Sequence, residues 1–175
     1  MSQDTWVGAL RSAVTAMDGT DARAARSRSR FLADLDRLPL PFDEHADPTH
    51  VTASAIVVGA HGVLLHRHKR MGIWLQPGGH VDAGEAPWDA AVREVAEETG
   101  LVAAHPSDGP RLVHVDVHDA PRGHVHLDAR YLLHAAGEPC PPPGESQDVR
   151  WFSWPDAIAV ADAGLVAALA ALRPT

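Results

Sequence analysis

The stretch that decides the fold runs from Gly79 to Leu101 and reads GHVDAGEAPWDAAVREVAEETGL. Its second half predicts an α-helix over Pro87–Thr99, because proline suits the first helical position and Gly100 follows where a C-terminal cap belongs. One face of this helix is apolar, with Trp88 and Val95 placed to pack on a sheet. The stretch therefore predicts an amphipathic helix that is held rigidly against a β-sheet.

The other face of the predicted helix is acidic, with glutamates spaced i, i+3 and i+4 at Glu94, Glu97 and Glu98. Like charges at this spacing weaken a helix unless a positive group lies among them. Grouped carboxylates are also the hard oxygen ligands that Mg²⁺ or Mn²⁺ prefers. Arg93 lies four residues before Glu97, within reach to orient it. An acidic run is most often a solvated surface, so these residues alone leave both interpretations open.

The spacing around this helix resembles the Nudix box. That signature is a glycine, five residues, a glutamate, seven residues, and then Arg-Glu-aliphatic-any-Glu-Glu-any-Gly-aliphatic. Every fixed position is matched in this chain, by Gly79, Glu85, Arg93, Glu94, Val95, Glu97, Glu98, Gly100 and Leu101. The completeness of the match favours the functional interpretation over a solvated acidic face.

The resemblance implies a family that cleaves a diphosphate linkage with a divalent metal held on the box helix. Carried over by position, Glu97 and Glu98 are the chief metal ligands. Glu94 is a third ligand or a water-activating group, and the carbonyl of Gly78 is a further ligand. The expected cofactor is Mg²⁺ or Mn²⁺, and the substrate is a small-molecule diphosphate.

The resemblance also implies supporting residues around the metal. Arg93 and Glu85 are expected to orient the metal ligands without binding the metal themselves. Family members often bring another acidic residue to the metal or to the attacking water from a later loop, and Glu145 is the candidate here. A solvated carboxylate is an equally good interpretation of Glu145, since no fixed spacing ties it to the box.

The fold that the resemblance implies is an α/β/α sandwich with a mixed central sheet, preceded by a helical extension. The expected domains are an N-terminal helical extension over 1–48 and a Nudix hydrolase domain over 49–175. Periodicity and turn residues predict helices over 3–17, ending at Asp18-Gly19, and over 22–35. They also predict strands over 51–58, 63–66, 112–118, 124–133 and 149–152, a turn at 76–79, and a helix over 155–172 interrupted at Gly164.

Two of these strands, 112–118 and 124–133, alternate as a hairpin with one buried face. The other face carries a row of polar residues, His126, Asp128 and Arg130, which we expect to line the substrate cleft. Arg130 could offer bidentate contacts to phosphate. His80 follows Gly79 and is a further candidate for substrate contact, although any single one of the 12 histidines is more often a polar surface residue.

Composition limits the partners and the location. With 15 Lys+Arg against 23 Asp+Glu, the formal charge is -8, which disfavours a nucleic-acid partner. No membrane span or signal peptide is predicted, and the single cysteine, Cys140, favours a reducing compartment, so a cytoplasmic location is expected. The apolar N-terminal helices and the sheet edges are compatible with a homodimer.

The expected activity is Mg²⁺-dependent hydrolysis of a diphosphate bond, in an ADP-ribose-like compound, a dinucleotide or a nucleoside triphosphate. One alternative is a nucleotide-sensing Nudix domain that binds without cleaving. Another is isomerisation of a prenyl diphosphate, which needs a catalytic cysteine near the sheet, whereas Cys140 lies in a predicted loop. Substrate identity is left open, because the loops that select it are separate from the box.

Overall fold

The computed structural model describes residues 2–17 and 22–173 of the chain. The predicted turn at Asp18-Gly19 lies outside these residues. The helices are α1 (Gln3–Ala16), α2 (Ala22–Arg37), α3 (Pro87–Thr99), α4 (Trp154–Val160) and α5 (Ala163–Leu172). The strands are β1 (Thr49–Gly59), β2 (Gly62–Arg67), β3 (Trp74–Leu75), β4 (Gly78–His80), β5 (Ala103–Ala104), β6 (Arg111–Ala120), β7 (His124–Ala135) and β8 (Val149–Phe152).

The strands form one mixed sheet around a parallel pair, β1 and β7. β2 and β4 pair antiparallel with different parts of β1, and β5 and β6 pair antiparallel with β7. β3 and β8 pair with β2 at the other edge. The parallel pair needs a long crossover, and α3 lies within that crossover. The mixed central sheet is confirmed.

Helices cover both faces of the sheet. On one face, Ala90 and Val95 of α3 are fully buried in the same apolar cluster as Val51 and Ala53 of β1. On the other face, residues of α4 and α5, Leu165 among them, bury a second cluster with β1 and β2. The α/β/α sandwich is therefore confirmed, and the box helix lies on one layer of it.

The N-terminal helices complete the first core. Leu10, Val14, Phe31 and Leu35 are at most 2% exposed and belong to the same apolar cluster as the sheet. Burying side chains of this size contributes roughly 1.5–3 kcal/mol each to the folded state. The helices at the N-terminus are confirmed, and they pack on the sheet as part of one core. The boundary between 48 and 49 as a domain division stays a prediction.

Two local predictions differ from the structure. The segment 76–79 was expected to be only a turn, but Gly78–His80 forms β4, because pairing with Thr52, Ala53 and Ser54 of β1 overrides the local turn signal of the glycines. The C-terminal helix breaks at Ala161–Asp162 and not at Gly164, because the Asp162 side chain accepts the N–H of Leu165 and caps a new helix.

The hairpin of β6 and β7 is buried on both faces, and the expectation of one buried face is wrong. Asp116, Asp128 and Arg130 are each at most 4% exposed, although their charges predict a solvated face. α5 crosses this face, and the carbonyl of Gly164 accepts a hydrogen bond from Arg130 at 2.7 Å. None of the helices in residues 2–17 and 22–173 is long and apolar enough to cross a membrane.

Candidate active site

The acidic face of α3 lies beside the glycine strand β4. α3 begins at Pro87 and ends at Thr99, and Gly100 caps it with a φ of 72°, a left-handed conformation that glycine adopts without strain. The Gly78 N–H donates to Glu98 Oε2 at 2.9 Å. Glu94 and Glu98 are mostly buried, with side chains 13% and 18% exposed, whereas Glu97 is 56% exposed. The site therefore has a buried pair of carboxylates and one at its mouth.

Both glycines of β4 lie in close contact with neighbouring groups. A Cβ at Gly79 would overlap the carboxylate of Glu94, and a Cβ at Gly78 would overlap the side chain of Ser54 on β1. Any side chain at these positions would displace one wall of the site. The two glycines are thus what allow α3 and the sheet to enclose the carboxylates.

Arg93 holds the acidic groups in place. Its Nη1 donates to Glu94 Oε1 at 2.8 Å and to Glu97 Oε2 at 3.0 Å. Its Nη2 donates to Glu85 Oε2 and to the carbonyl of His80, both at 2.9 Å. The bonds to Glu85 and then to Glu94 hold the pKa of the guanidinium well above its ordinary value. Arg93 therefore fixes the helix face, β4 and the loop that carries Glu85 relative to each other.

Burial makes the charged carboxylates unfavourable in the absence of a cation. Burial raises the pKa of Glu98 to about 8, against the hydrogen bond from Gly78, and the charges of Glu94, Glu145 and Glu97 raise it further. Burial also raises the pKa of Glu94, although Arg93 acts in the other direction. A divalent cation would remove this penalty, so the donor set fits Mg²⁺ or Mn²⁺ on the chemistry of its oxygens.

Glu145 lies in the loop before β8, on the side of the acidic face, since its charge acts on Glu98. Its Oε2 is 3.9 Å from Nζ of Lys69, and both side chains are about half exposed, at 43% and 48%. A buried histidine, His66, approaches from β2, with Nε2 at 3.8 Å from Glu98 Oε2. The site thus joins the box helix to the end of β2 and to the later loop.

The polar row on β7 divides into two parts. Asp128 and Arg130 are bonded to each other at 2.9 Å, and Asp128 also accepts bonds from Ser54 at 2.9 Å and Gln76 at 3.3 Å. Arg130 Nη2 lies 3.6 Å from Asp116. These side chains form a buried polar network, and their contact with substrate stays a prediction.

His126, the first residue of the row, lies among other imidazoles. Its ring centroid is 5.2 Å from that of His50, 5.4 Å from that of His80 and 5.5 Å from that of His118. Burial and the neighbouring imidazoles lower the pKa of His126 to about 4. The two histidines that the sequence singled out, His80 and His126, are therefore brought together by the fold.

A family model described as NUDIX domain matches residues 48–171 of the chain. The chain belongs to the Nudix family. The match covers the whole sheet, α3, α4 and all but the last residue of α5, and it leaves α1 and α2 outside. The resemblance that was drawn from the box alone is confirmed.

Two curated relatives of this Nudix chain are named as a pyrophosphohydrolase and a diphosphatase. It is 37% identical over 90 residues to "Probable DHNTP pyrophosphohydrolase" of Lactococcus lactis subsp. cremoris, covering 47% of this chain and 52% of that protein. It is 52% identical over 42 residues to "Putative 8-oxo-dGTP diphosphatase" of Bacillus subtilis, covering 24% of this chain and 28% of that protein. The chain thus spans about half or less of the length of these relatives.

Solved Nudix structures resemble the fold closely. A Nudix-family hydrolase from Clostridium perfringens matches with a TM-score of 0.61 and 30% identity, covering 70% of this chain and 95% of that one. A MutT Nudix hydrolase from Burkholderia pseudomallei matches with a TM-score of 0.60 and 30% identity, covering 71% and 98%. These matches support the Nudix fold of the sheet and its helices.

Sequence reasoning did not select several residues that the Nudix fold brings to this region. The two-residue spacing of His66 and His68 indicates side chains on one strand face that can bind metal or line a pocket, but it assigns His66 no role in the site, and nothing in the sequence singles out Lys69. His50 and Glu44 are brought beside His80, but no local pattern in one sequence connects residues so far apart. The pairing of β1 with β4 brings His50 and His80 together, and the segment before β1 brings Glu44 beside them.

Proposed function

We propose that this Nudix protein hydrolyses a diphosphate bond in a nucleotide-type substrate with Mg²⁺ or Mn²⁺ bound at the box helix. The observation that carries the proposal is the enclosure of Glu94 and Glu98 between α3 and a strand of glycines. A protein that merely displayed an acidic surface would leave these carboxylates in water. For Glu98, which forms no ion pair with a lysine or arginine among the described residues, burial favours an ion as the missing counter-charge.

Within this proposal, Glu97 and Glu98 are the chief ligands of the metal, with Glu94 and the carbonyl of Gly78 beside them. When bound, the metal would neutralise negative charge on the phosphate oxygens and lower the pKa of the attacking water. The positive charge of the metal is necessary because the protein, with a formal charge of -8, repels an anionic substrate as a whole.

The chain's own residues then position the reaction. Water attacks one phosphorus, the bridging P–O bond breaks, and the departing phosphate keeps the bonding electron pair. Glu94 or Glu145 accepts the proton of the water. Glu94 suits this role because its mostly buried carboxylate is held in place by the 2.8 Å hydrogen bond from Arg93 Nη1. Arg93, held by Glu85, keeps the acidic face in register with β4.

The substrate side of the proposal rests on β4 and β7. We assign His80, His126, Asp128 and Arg130 to the wall of the cleft, with the two histidines nearest to the substrate and the buried acid–base pair supporting them. The name of one relative, an 8-oxo-dGTP diphosphatase, favours a nucleoside triphosphate as the substrate class.

The test is product release from a panel of nucleoside triphosphates, dinucleotides and nucleoside diphosphate sugars, with Mg²⁺, with Mn²⁺ and with chelator. We expect metal-dependent cleavage in the wild type and a loss of most turnover in Glu97→Gln, whose exposed side chain permits folding. Glu138→Gln, in an exposed loop, is the matched control and should retain full activity. Near-normal turnover in Glu97→Gln, or tight nucleotide binding without any product, would contradict the proposal.

A further inference from the structure

Four histidines and one glutamate meet at the end of the sheet where β1 and β7 begin. We call this group the imidazole cluster, and its members are Glu44, His50, His80, His124 and His126. The parallel pairing of β1 and β7 sets His50 opposite His126, and the antiparallel pairing of β1 and β4 sets His80 opposite Thr52. The cluster is therefore built by strand register and by the loop that precedes β1.

The potential ligand atoms of the cluster fall into two sets of three, and within each set they are close enough to hold one ion. Those of His50, His124 and His126 lie within 4.8 Å of one another, and so do those of Glu44, His50 and His80. His50 belongs to both sets. Its ring centroid lies 5.1 Å from those of His80 and His124 and 5.2 Å from that of His126. No glutamate of the box helix belongs to either of these two sets.

His50 is prepared as a ligand. Its side chain is fully buried, and its Nδ1 lies 3.2 Å from the carbonyl oxygen of Asp47. Because a carbonyl can only accept, Nδ1 must carry the proton, and the lone pair then lies on Nε2. That Nε2 atom is buried and has no hydrogen-bond partner among the described residues. A backbone carbonyl that fixes the tautomer of a histidine in this way is the usual support of a metal-binding imidazole.

We propose that the imidazole cluster is a second metal site, for a first-row transition cation of the Zn²⁺ kind, with His50 as the shared ligand. The remaining ligands come from His124 and His126 on one side and from Glu44 and His80 on the other. Imidazole nitrogen is a ligand for Zn²⁺, Co²⁺ and Ni²⁺, whereas Mg²⁺ prefers oxygen, so this site and the box helix select different ions.

A cavity gives an ion access to the side of the cluster that Glu44 and His80 form. Its volume is about 420 Å³, and its lining includes Glu44 and His80 together with Trp6 of α1 and Glu85 of the box. An ion in the cluster would link the segment before β1 to β4 and β7. Because it binds only the folded arrangement, it should raise the resistance of the whole protein to unfolding.

The first experiment measures binding of Zn²⁺ by calorimetry and of Co²⁺ by its visible absorption, in excess Mg²⁺ so that the box is occupied. We expect one Zn²⁺ to bind per chain. We also expect bound Co²⁺ to show the intense visible absorption that is typical of a low coordination number. His50→Gln should weaken Zn²⁺ binding by about 100-fold, with smaller losses in His124→Gln and Glu44→Gln. His61→Gln, in an exposed turn, is the matched control and should bind as the wild type does.

Two comparisons separate this site from the box helix and from the exposed Cys140. Glu98→Gln and Cys140→Ser should each keep the high-affinity Zn²⁺ site, and its loss in either variant would overturn the proposal. Unchanged binding in all three cluster variants would overturn it equally.

A measurement on the wild type avoids dependence on the folding of His50→Gln. In crystals soaked with Zn²⁺, anomalous scattering at the zinc edge should give a peak bounded by the imidazole of His50. A peak only among the carboxylates of α3, or no peak, would show that the cluster is not a metal site. These readouts do not use catalytic activity, so failure here and failure of the proposed hydrolysis are distinguishable.

Discussion

The N–H of Gly78 donates a 2.9 Å hydrogen bond to Oε2 of Glu98, and this bond joins β4 to the acidic face of α3. It favours the ionised carboxylate, yet burial outweighs it and raises the pKa of Glu98 to about 8. Glu98 is therefore placed where a counter-ion is required and where the metal-free protein loses stability. This is the arrangement expected of a group kept for ligand binding and not for folding.

Replacement of Glu98 by glutamine should separate these two effects. The amide oxygen can still accept the Gly78 N–H, but no buried charge remains. In chelator at pH 8, we expect Glu98→Gln to be more stable than the wild type by about 1–3 kcal/mol. Added Mg²⁺ should raise the stability of the wild type only, and the variant should lose most of its activity. Urea unfolding with and without Mg²⁺ measures this, and a variant that is less stable in chelator would contradict it.

Gly79→Ala should displace the second buried carboxylate. The new Cβ would overlap Glu94, so that side chain must move away from β4. Misplacement of a reacting group by about 1 Å can reduce turnover by roughly 10²-fold, and we expect a fall in kcat of that order. Gly8→Ala is the matched control, because a Cβ at this exposed position in α1 meets nothing within 4 Å. It should leave kcat unchanged and stabilise α1 slightly, and equal kcat values for the two variants would contradict the role of Gly79.

Arg93→Lys should show that the acidic face depends on a planar, branched donor. Arg93 serves Glu85, Glu94, Glu97 and the carbonyl of His80 at once, and a single ammonium cannot reach all four. We expect activity to fall by about 10–100-fold, together with weaker Mg²⁺ binding. Arg70→Lys, in an exposed turn, should change neither. Full activity in Arg93→Lys would show that charge alone is sufficient.

The box helix could be predicted because its signals are local. Pro87, the apolar positions that face the sheet and Gly100 lie within one stretch, and each acts over one or two helical turns. The strands β1, β2, β6 and β7 were predicted for the same reason, from alternation and turn residues. Such patterns predict individual helices and strands. The arrangement of these elements in an α/β/α sandwich was predicted from the family resemblance.

The parts of the fold and of the site that were not predicted depend on contacts between residues far apart in the sequence. The parallel register of β1 and β7, which places His50 opposite His126, connects positions 76 residues apart by number, and no local pattern determines it. β4 was missed because two glycines signal a turn until a neighbouring strand pairs with them. The burial of Asp128 and Arg130 was missed because only the position of α5 over β6 and β7 reveals it.

The buried acid–base network of β6 and β7 predicts a stability that depends on pH. Asp116 lies 2.9 Å from Nη2 of Arg23, 3.2 Å from Nδ1 of His118 and 3.6 Å from Nη2 of Arg130. Burial alone would raise the pKa of Asp116, but the bond from His118 and the two guanidinium charges hold it well below its ordinary value of 3.8. The bond to Asp116 raises the pKa of His118 above its ordinary value of 6.5, against burial.

The signs of these two shifts define a pH window. A lowered pKa at Asp116 contributes stability that is present above pH 3.8 and is lost as the pH falls further. A raised pKa at His118 contributes stability that is present below pH 6.5 and is lost as the pH rises through its folded value. Asp116→Asn should therefore be destabilised most, by about 3 kcal/mol, between these limits. At higher pH the difference in the free energy of unfolding between the wild type and Asp116→Asn should become smaller. It should not vanish, because both arginines stay charged. Urea unfolding at pH 3, 5.5 and 8.5 measures this effect. Asp108→Asn, in an exposed loop, is the control. A loss of stability in Asp116→Asn that is the same at every pH would contradict the assignment of the network.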